Sequence, residues 1–170
     1  MPAPVTVIIP TFNDEDWVGQ AIDSAFAAGA AEVIVADAAS NDRTPRVAIA
    51  HGARLLLADR PRARQLEIAA RAASHEHLIV LPADARLPAG AADAASAALE
   101  EVEVGGFRVS FIERSVKLRV IAMWINLFDR APREDQAQFI RRSVLLSPPA
   151  TPSIRMLPLT VRASGRRLLR

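Results

Sequence analysis

Three apolar runs in the first half of the chain end on residues that can do chemistry. "VTVIIP" runs into Thr11-Phe12-Asn13, "EVIVAD" ends on Asp37, and "HLIVLPAD" passes a proline to end on Asp84. A carboxylate at the end of a buried apolar run has two uses. It can organise a turn through nearby backbone N–H groups, or it can meet a ligand or a metal ion. His75 and His77 share one side of an extended segment, but no third ligand stands near them, and a solvated pair is the better reading. The absence of cysteine excludes disulfides, thiolate metal centres and cysteine nucleophiles. No G-x-G-x-x-G, G-x-x-x-x-G-K-[ST] or G-x-S-x-G occurs, which removes the two common phosphate cradles and the hydrolase elbow.

The elements that must hold these residues can be read from the pattern. Val5–Ile9, Glu32–Val35, Arg54–Leu57 and His77–Leu81 are strand-like runs, each followed by a helical stretch. In the first helix Trp17, Ala21, Ile22, Ala25 and Phe26 fall on one face, Asn13 or Asp14 can cap its start, and Gly29 can stop it. Ser40 or Asn41 is the expected cap of the second, and Pro88 stands near the first turn of the fourth. Alternation with short connections predicts a parallel sheet covered by helices on both faces. Ligands of such sheets bind outside the carboxyl ends of the strands, where Thr11–Asn13, Asp37 and Asp84 all fall. Farther on, Gly105–Ile112 predicts a strand, 114–130 a helix and "DQAQFIRR" a short strand. Four prolines between Ser147 and Pro158 exclude a long helix there.

The chain of 170 residues, 51% hydrophobic, suits one globular domain. Its basic character is nearly all arginine, with Lys117 the single lysine, and the formal net charge is only +2. Nucleic acid is therefore not an expected partner. No signal-peptide pattern opens the sequence, and the longest apolar stretch, Val120–Phe128, falls short of the ~20 residues that span a bilayer. A soluble, cytoplasmic domain is expected. "RSVKLRVIAMWINLFDR" combines a basic start with an apolar face, as an interfacial helix at the inner face of a membrane would; packing on the sheet or on a second subunit is the plainer use. Arg162, Arg166, Arg167 and Arg170 suit phosphates or an anionic surface, or simply a solvated terminus.

Taken in order, "VTVIIPTFNDEDWV", "EVIVADAASNDRT", "RPRARQLEIAARAA" and "LIVLPADARLPAG" resemble the family 2 glycosyltransferases of the GT-A fold. "DQAQFIRR" resembles the "GDQ--F-RR" of a small bacterial branch that also runs "GRARQ-N-GA" and "HADTRLP". The resemblance covers residues 4 to about 142. It implies a three-layer α/β GT-A-like fold with a mainly parallel central sheet, a nucleotide-diphospho-sugar donor, and a divalent Mn²⁺ or Mg²⁺. It also implies inverting transfer of a hexosyl group to an unknown acceptor, lipid-linked acceptors included, and leaves a homodimer open. By the same resemblance, residues 1–100 form the nucleotide-binding βαβ half, 101–146 the acceptor side, and 147–170 a Pro-rich, basic tail of a single domain. Pro10, Thr11, Asn13, Glu15 and Ser40 would hold the nucleoside, with Asp37 accepting from the base's ring N–H. Arg62, Arg64 and Gln65 would meet the diphosphate at a helix start, and Asp84 the metal. Asn13 as a cap and Asp37 as a turn residue are compatible with these roles.

Several departures from the family stand out. Asp37-Ala38-Ala39-Ser40 replaces a glycine-containing loop, and alanine resists the positive φ that glycine accepts, so a differently shaped loop is expected. Pro82 stands where the family has Asp or His, and Glu67 where that branch has Asn. No Asp or Glu follows Asp135, whereas the family supplies its general base from a Glu-Asp pair on a later helix. "LPLTVRASGRR" resembles the family's stretch beyond that helix, which implies an internal deletion. Loss of a general base typically costs ~10²–10⁴ in rate. Asp135, beside Glu134, is the nearest substitute in sequence; the alternative is a binding or regulatory domain without turnover.

Overall fold

The computed structural model describes residues 1–113, 115–128 and 136–165. Its first half alternates as the apolar runs dictate: β1 (Val5–Thr11), α1 (Val18–Ala27), β2 (Glu32–Asp37), α2 (Thr44–Ala50), β3 (Arg54–Leu57), α3 (Arg62–Ala72) and β4 (His77–Val80). A two-residue strand β5 (Ala85–Arg86) and α4 (Ala91–Leu99) come next. The rest comprises β6 (Val104–Phe111), α5 (Val116–Phe128), β7 (Gln138–Arg141), α6 (Arg142–Leu146) and β8 (Ile154–Ala163). The strands form one sheet in the order β3-β2-β1-β4-β7-β6-β8-β5. β1 pairs in parallel with β2 and β4, β2 with β3, and β6 with β8, while β7 and β5 run antiparallel to their neighbours. Two reversals, at β4–β7 and β7–β6, cancel. The carboxyl ends of β1, β2, β4, β6 and β8 therefore lie on one edge.

Alternating side chains on β1 divide the core into two layers. Val7 and Ile9 pack with residues of α1, α2, α4 and α5; Ile8 packs with Ala69 and Ala70 of α3 and with α6. Two clusters on opposite faces of one sheet make the expected three layers. Neighbouring arginines at the end of β7 tie helix ends to this frame: Arg141 donates to the Leu99 carbonyl at the end of α4, and Arg142 to the Ala73 carbonyl at the end of α3 (2.9 Å).

Three local expectations are corrected. Asn13 and Asp14 do not cap α1, which starts at Val18 behind Trp17 without a side-chain cap, because Asn13 adopts φ +55° and turns the chain toward the loop after β2. Ser40 and Asn41 precede α2 without capping it; the Asp42 carboxylate accepts the Thr44 N–H instead (2.8 Å). Phe26 sits at the margin of the apolar face of α1 and is 40% exposed. Beyond the prolines the segment assigned to a tail contributes β8. Its Pro158 lies at a register shift, between the pairs Phe107↔Leu157 and Arg108↔Thr160, where a residue without an N–H leaves no ladder bond missing. Among the described residues no helix is long and apolar enough to cross a membrane.

Candidate functional site

The loops after β1 and β2 are laced together at the carboxyl edge. Asp37, fully buried, accepts the Thr11 hydroxyl (2.8 Å) and the Ser40 hydroxyl (2.6 Å) on Oδ1, and the Ser40 N–H (2.9 Å) on Oδ2. Asn13 donates its N–H to Ser40 Oγ, and its Oδ1 accepts the Asn41 N–H, both at 2.9 Å. The Asp14 N–H reaches Thr44 Oγ1 (2.8 Å), and the Glu15 N–H reaches Asp42 Oδ2 (3.2 Å). Glu15 in turn accepts the Arg43 N–H (2.8 Å) and its guanidinium (3.1 Å). Burial opposes the charge on Asp42, but hydrogen bonds from Thr44 and the Glu15 N–H outweigh it and hold the carboxyl below the ordinary range. Ala39 stands at φ +55°. The loop keeps a left-handed residue that its sequence makes costly, because Asp37, Thr11 and Asn13 over-determine its path.

From α3, Gln65 projects into this frame and is buried. Its Nε2 donates to the carbonyls of Thr11 (3.0 Å) and Ala36 (2.7 Å), pinning the ends of β1 and β2. Arg62 lines two adjoining cavities. One, about 370 Å³, is bounded by Pro10–Asp14 and Gln65; the other, about 410 Å³, by Pro61, Leu66, Val80 and Gln138. The Arg60 guanidinium lies 3.3 Å above the centroid of the Phe12 ring at the mouth of the first. Arg64 points to Glu67 (2.8 Å), which also binds Arg71. Those two arginines hold the Glu67 carboxyl below its ordinary range.

Asp84 is buried, three residues beyond the bond from the Leu81 N–H to the Ile8 carbonyl (2.9 Å). Its own carbonyl accepts the Ser164 N–H (3.0 Å), and Ala85 and Arg86 pair with Ala163 and Arg162 of β8. The sheet curls to allow this, since β4 and β5 are nearly consecutive in the chain yet stand far apart in the strand order. Among the described residues no three His, Cys, Asp or Glu side chains cluster as a metal cage, and Pro82 offers no side-chain donor. A single carboxylate fits a hard divalent ion that arrives with its phosphate ligands and keeps waters in its other positions. It does not fit an ion held by protein alone.

The structure thus brings Pro10, Thr11, Asn13, Asp37, Ser40, Arg62 and Gln65 together, with Glu15 on the outer loop and Arg64 turned to Glu67. Asp84 stands on the same edge. Asp135 and Glu134 lie outside the described residues, as do Arg166, Arg167 and Arg170. Sequence reasoning missed Glu113, whose carboxylate accepts the Ser164 hydroxyl (2.6 Å) and the Gly165 N–H (2.8 Å) beside Asp84. Nothing in its spacing announces this. The structural use of Gln65 did leave a trace, because Gln65 and Ala69 share the buried face of α3.

A three-layer sheet with its polar loops gathered on one carboxyl edge is the arrangement of GT-A glycosyltransferases. The sequence matches the profile of Glycosyl transferase family 2 over residues 6–147, and the chain belongs to that family. Its fold is similar to glucosyl-3-phosphoglycerate synthase from Mycobacterium tuberculosis in complex with Mn²⁺ and UDP-glucose, with TM-score 0.69 and 19% identity over 95% of this chain and 71% of that one. The same enzyme with phosphoglyceric acid gives 0.68 and 20%, over 95% and 72%. With Mg²⁺ and UDP it gives 0.65 and 18%, over 93% and 70%. At such identity the likeness concerns the fold. No curated protein matches the sequence.

Proposed function

We propose that the chain binds a nucleotide-diphospho-sugar and transfers the sugar, with inversion, to an acceptor hydroxyl. The observation that carries this reading is the gathering of the Pro10–Asn13 loop, Arg62 and Asp84 on one carboxyl edge. Pro10, Thr11, Asn13, Glu15 and Ser40 wall or brace the nucleoside side. Asp37 Oδ2 accepts one hydrogen bond within the loop and has capacity for the ring N–H of a base, which reaches this fully buried carboxylate when the Ser40 side of the loop moves aside. Arg62, at the first turn of α3, meets the diphosphate with its guanidinium, on the side favoured by the helix's N-terminal end. Arg64 joins it by exchanging Glu67 for phosphate, and Gln65 serves by holding β1 and β2 in place. Asp84 would hold Mn²⁺ or Mg²⁺ through the diphosphate, a Lewis acid that stabilises the departing nucleoside diphosphate. Complexes of the synthase with Mn²⁺, Mg²⁺, UDP and UDP-glucose support this choice of ligands.

Inversion requires the acceptor hydroxyl to lose its proton as it attacks, and we assign that role to Asp135. The stretch from Gln136 to Gly165 that closes the sheet carries no Asp or Glu, which favours a second reading, a donor-binding domain without turnover. On α5, Val120 and Met123 are exposed beside Lys117 and Arg119. That face supports a lipid-linked acceptor at the inner surface of a membrane, with a homodimer contact as its competing use. Calorimetry with UDP, GDP, CDP, dTDP and their sugars, with and without Mn²⁺, tests the donor site. One diphosphate is expected to bind in a manner that needs both Mn²⁺ and Asp84, with D84N losing more than the roughly 10–100-fold typical of a ligand's supporting partner. Binding by none of them sinks the reading. Full turnover by D135N removes the assigned base, and donor binding without turnover in any acceptor mixture favours the second reading.

A further inference from the structure

Glu113 stands two residues past β6, on the same edge as Asp84, and takes no part in the transfer chemistry described above. Its two carboxylate oxygens receive two donors from one short segment, Ser164 Oγ–H on Oε1 and Gly165 N–H on Oε2. Ser164 spends its own N–H on the Asp84 carbonyl (3.0 Å). A continuous path therefore runs from the Glu113 carboxylate through Ser164 to the Asp84 backbone. We propose that Glu113 is a positioning residue for Asp84, fixing the end of β8 so that the Asp84 carboxylate is presented in one orientation to the divalent ion.

The surroundings of Asp84 explain why such a device is needed. β5 contributes only two residue pairs to the sheet, so the Asp84 loop has little ladder of its own. The last backbone bond between β6 and β8 runs from the Ile112 N–H to the Ala163 carbonyl (2.9 Å). Past it, Ser164 and Gly165 are gripped by the Glu113 side chain. A carboxylate is suited to this task because it is acceptor-only and offers two oxygens to two converging donors. Burial opposes its charge, yet the bonds from Ser164 and Gly165 outweigh that and hold the carboxyl below the ordinary glutamate range. Gly165 adds a steric stop. A Cβ there would lie 2.4 Å from Leu118 Cδ1 of α5, so the segment is packed as well as bonded. Partners bonded directly to a metal-ligating side chain typically carry roughly 10–100-fold in metal affinity; Glu113 acts a step further out, through Ser164 and the Asp84 carbonyl, so its share falls toward the lower end.

The inference rests on the donor and its divalent ion binding at Asp84. Its test uses the full chain and the diphosphate that shows Mn²⁺-dependent binding. Nucleotide affinity is measured by calorimetry with and without Mn²⁺, and bound Mn²⁺ by electron paramagnetic resonance. Glu113→Ala is expected to lower the Mn²⁺-dependent gain by up to about 10-fold, the lower end of what direct partners of metal ligands carry, and to leave metal-free nucleotide affinity unchanged. Glu113→Gln, which still accepts from Gly165 and can donate to Ser164 Oγ, is expected to recover most of the gain. If Glu113→Ala does not fold, Ser164→Ala removes one of the two bonds and is read the same way with a smaller loss. Unchanged Mn²⁺ coupling in Glu113→Ala overturns the inference alone, as does normal coupling with turnover lost equally in both Glu113 variants, which would mean direct contact with substrate. Absence of Mn²⁺-dependent binding in the unmodified chain overturns the donor reading and this inference together.

Discussion

The nucleoside side and the metal side of the carboxyl edge are built in different ways. Around Asp37 the bonds link segments 26 to 30 residues apart, and they are many: Thr11 to Asp37, Asn13 to Ser40, Asn41 to Asn13, Asp14 to Thr44. One βαβ unit closes on itself there. Around Asp84 the support is drawn from scattered segments, among them a two-residue strand, Ser24 Oγ accepting the Leu87 N–H (3.1 Å), and Glu113, whose bond to Ser164 spans 51 residues. A site assembled from neighbouring units is set by local sequence. A site assembled across the chain depends on the whole sheet having curled.

The widest separation between the two sides should come from Asp37→Ala. It leaves the buried Thr11 hydroxyl and the half-buried Ser40 hydroxyl and N–H without their acceptor, and about 2–3 kcal/mol of stability should be lost. Denaturant titration measures this. In the same variant metal-free nucleotide affinity should fall while the Mn²⁺-dependent gain persists. Collapse of both together would break the division between the two sides. A smaller effect of opposite sign is expected from Ala39→Gly, which relieves a left-handed alanine. The relief of ~1–2 kcal/mol is partly offset by the extra freedom of glycine in the unfolded chain, leaving a gain of about 0.5–1 kcal/mol. Destabilisation instead would show that the Ala39 methyl packs usefully.

The weakest contrast is in acid. Glu113, Glu32 and Glu76 are each opposed by burial and held below their ordinary range by hydrogen bonds, from Ser164 and Gly165, from Ser74 and Thr6, and from Ser143, with Arg142 adding to the last. The unfolded chain then binds more protons than the folded one, so stability is present above the ordinary glutamate pKa of about 4.3 and drains away as pH falls below it. Glu113→Gln should flatten part of that fall. Identical acid unfolding curves for the variant and the parent would show that its bonds add nothing to stability.

Much of the first half was legible because its strands are unbroken apolar runs, and Asp37 and Asp84 follow from where those runs stop. Capping was misread because the Asn13 side chain is drawn to the Asn41 N–H, 28 residues away, and the Ser40 hydroxyl to Asp37 and the Asn13 N–H, instead of onto their own helices. The prolines of 147–158 correctly removed a helix but hid β8, since a bulge can absorb Pro158 within a strand. Composition alone gave no sign of the positive φ at Ala39, which the network around Asp37 imposes without a glycine. Glu113 was invisible for a simpler reason: its partners are distant in sequence.

Arg141 and Arg142 grip helix ends that belong to opposite layers. α3 is 11 residues long, a rod of roughly 16 Å at about 1.5 Å per residue, with Arg62 at its head and the Ala73 carbonyl at its foot. A rod fastened only at its foot pivots, and small angular play there becomes larger travel at the tip. Arg142 at Ala73 and Arg54 at Ala72 pin the foot and Gln65 pins the head side, so Arg62 works from a braced strut rather than a swinging arm.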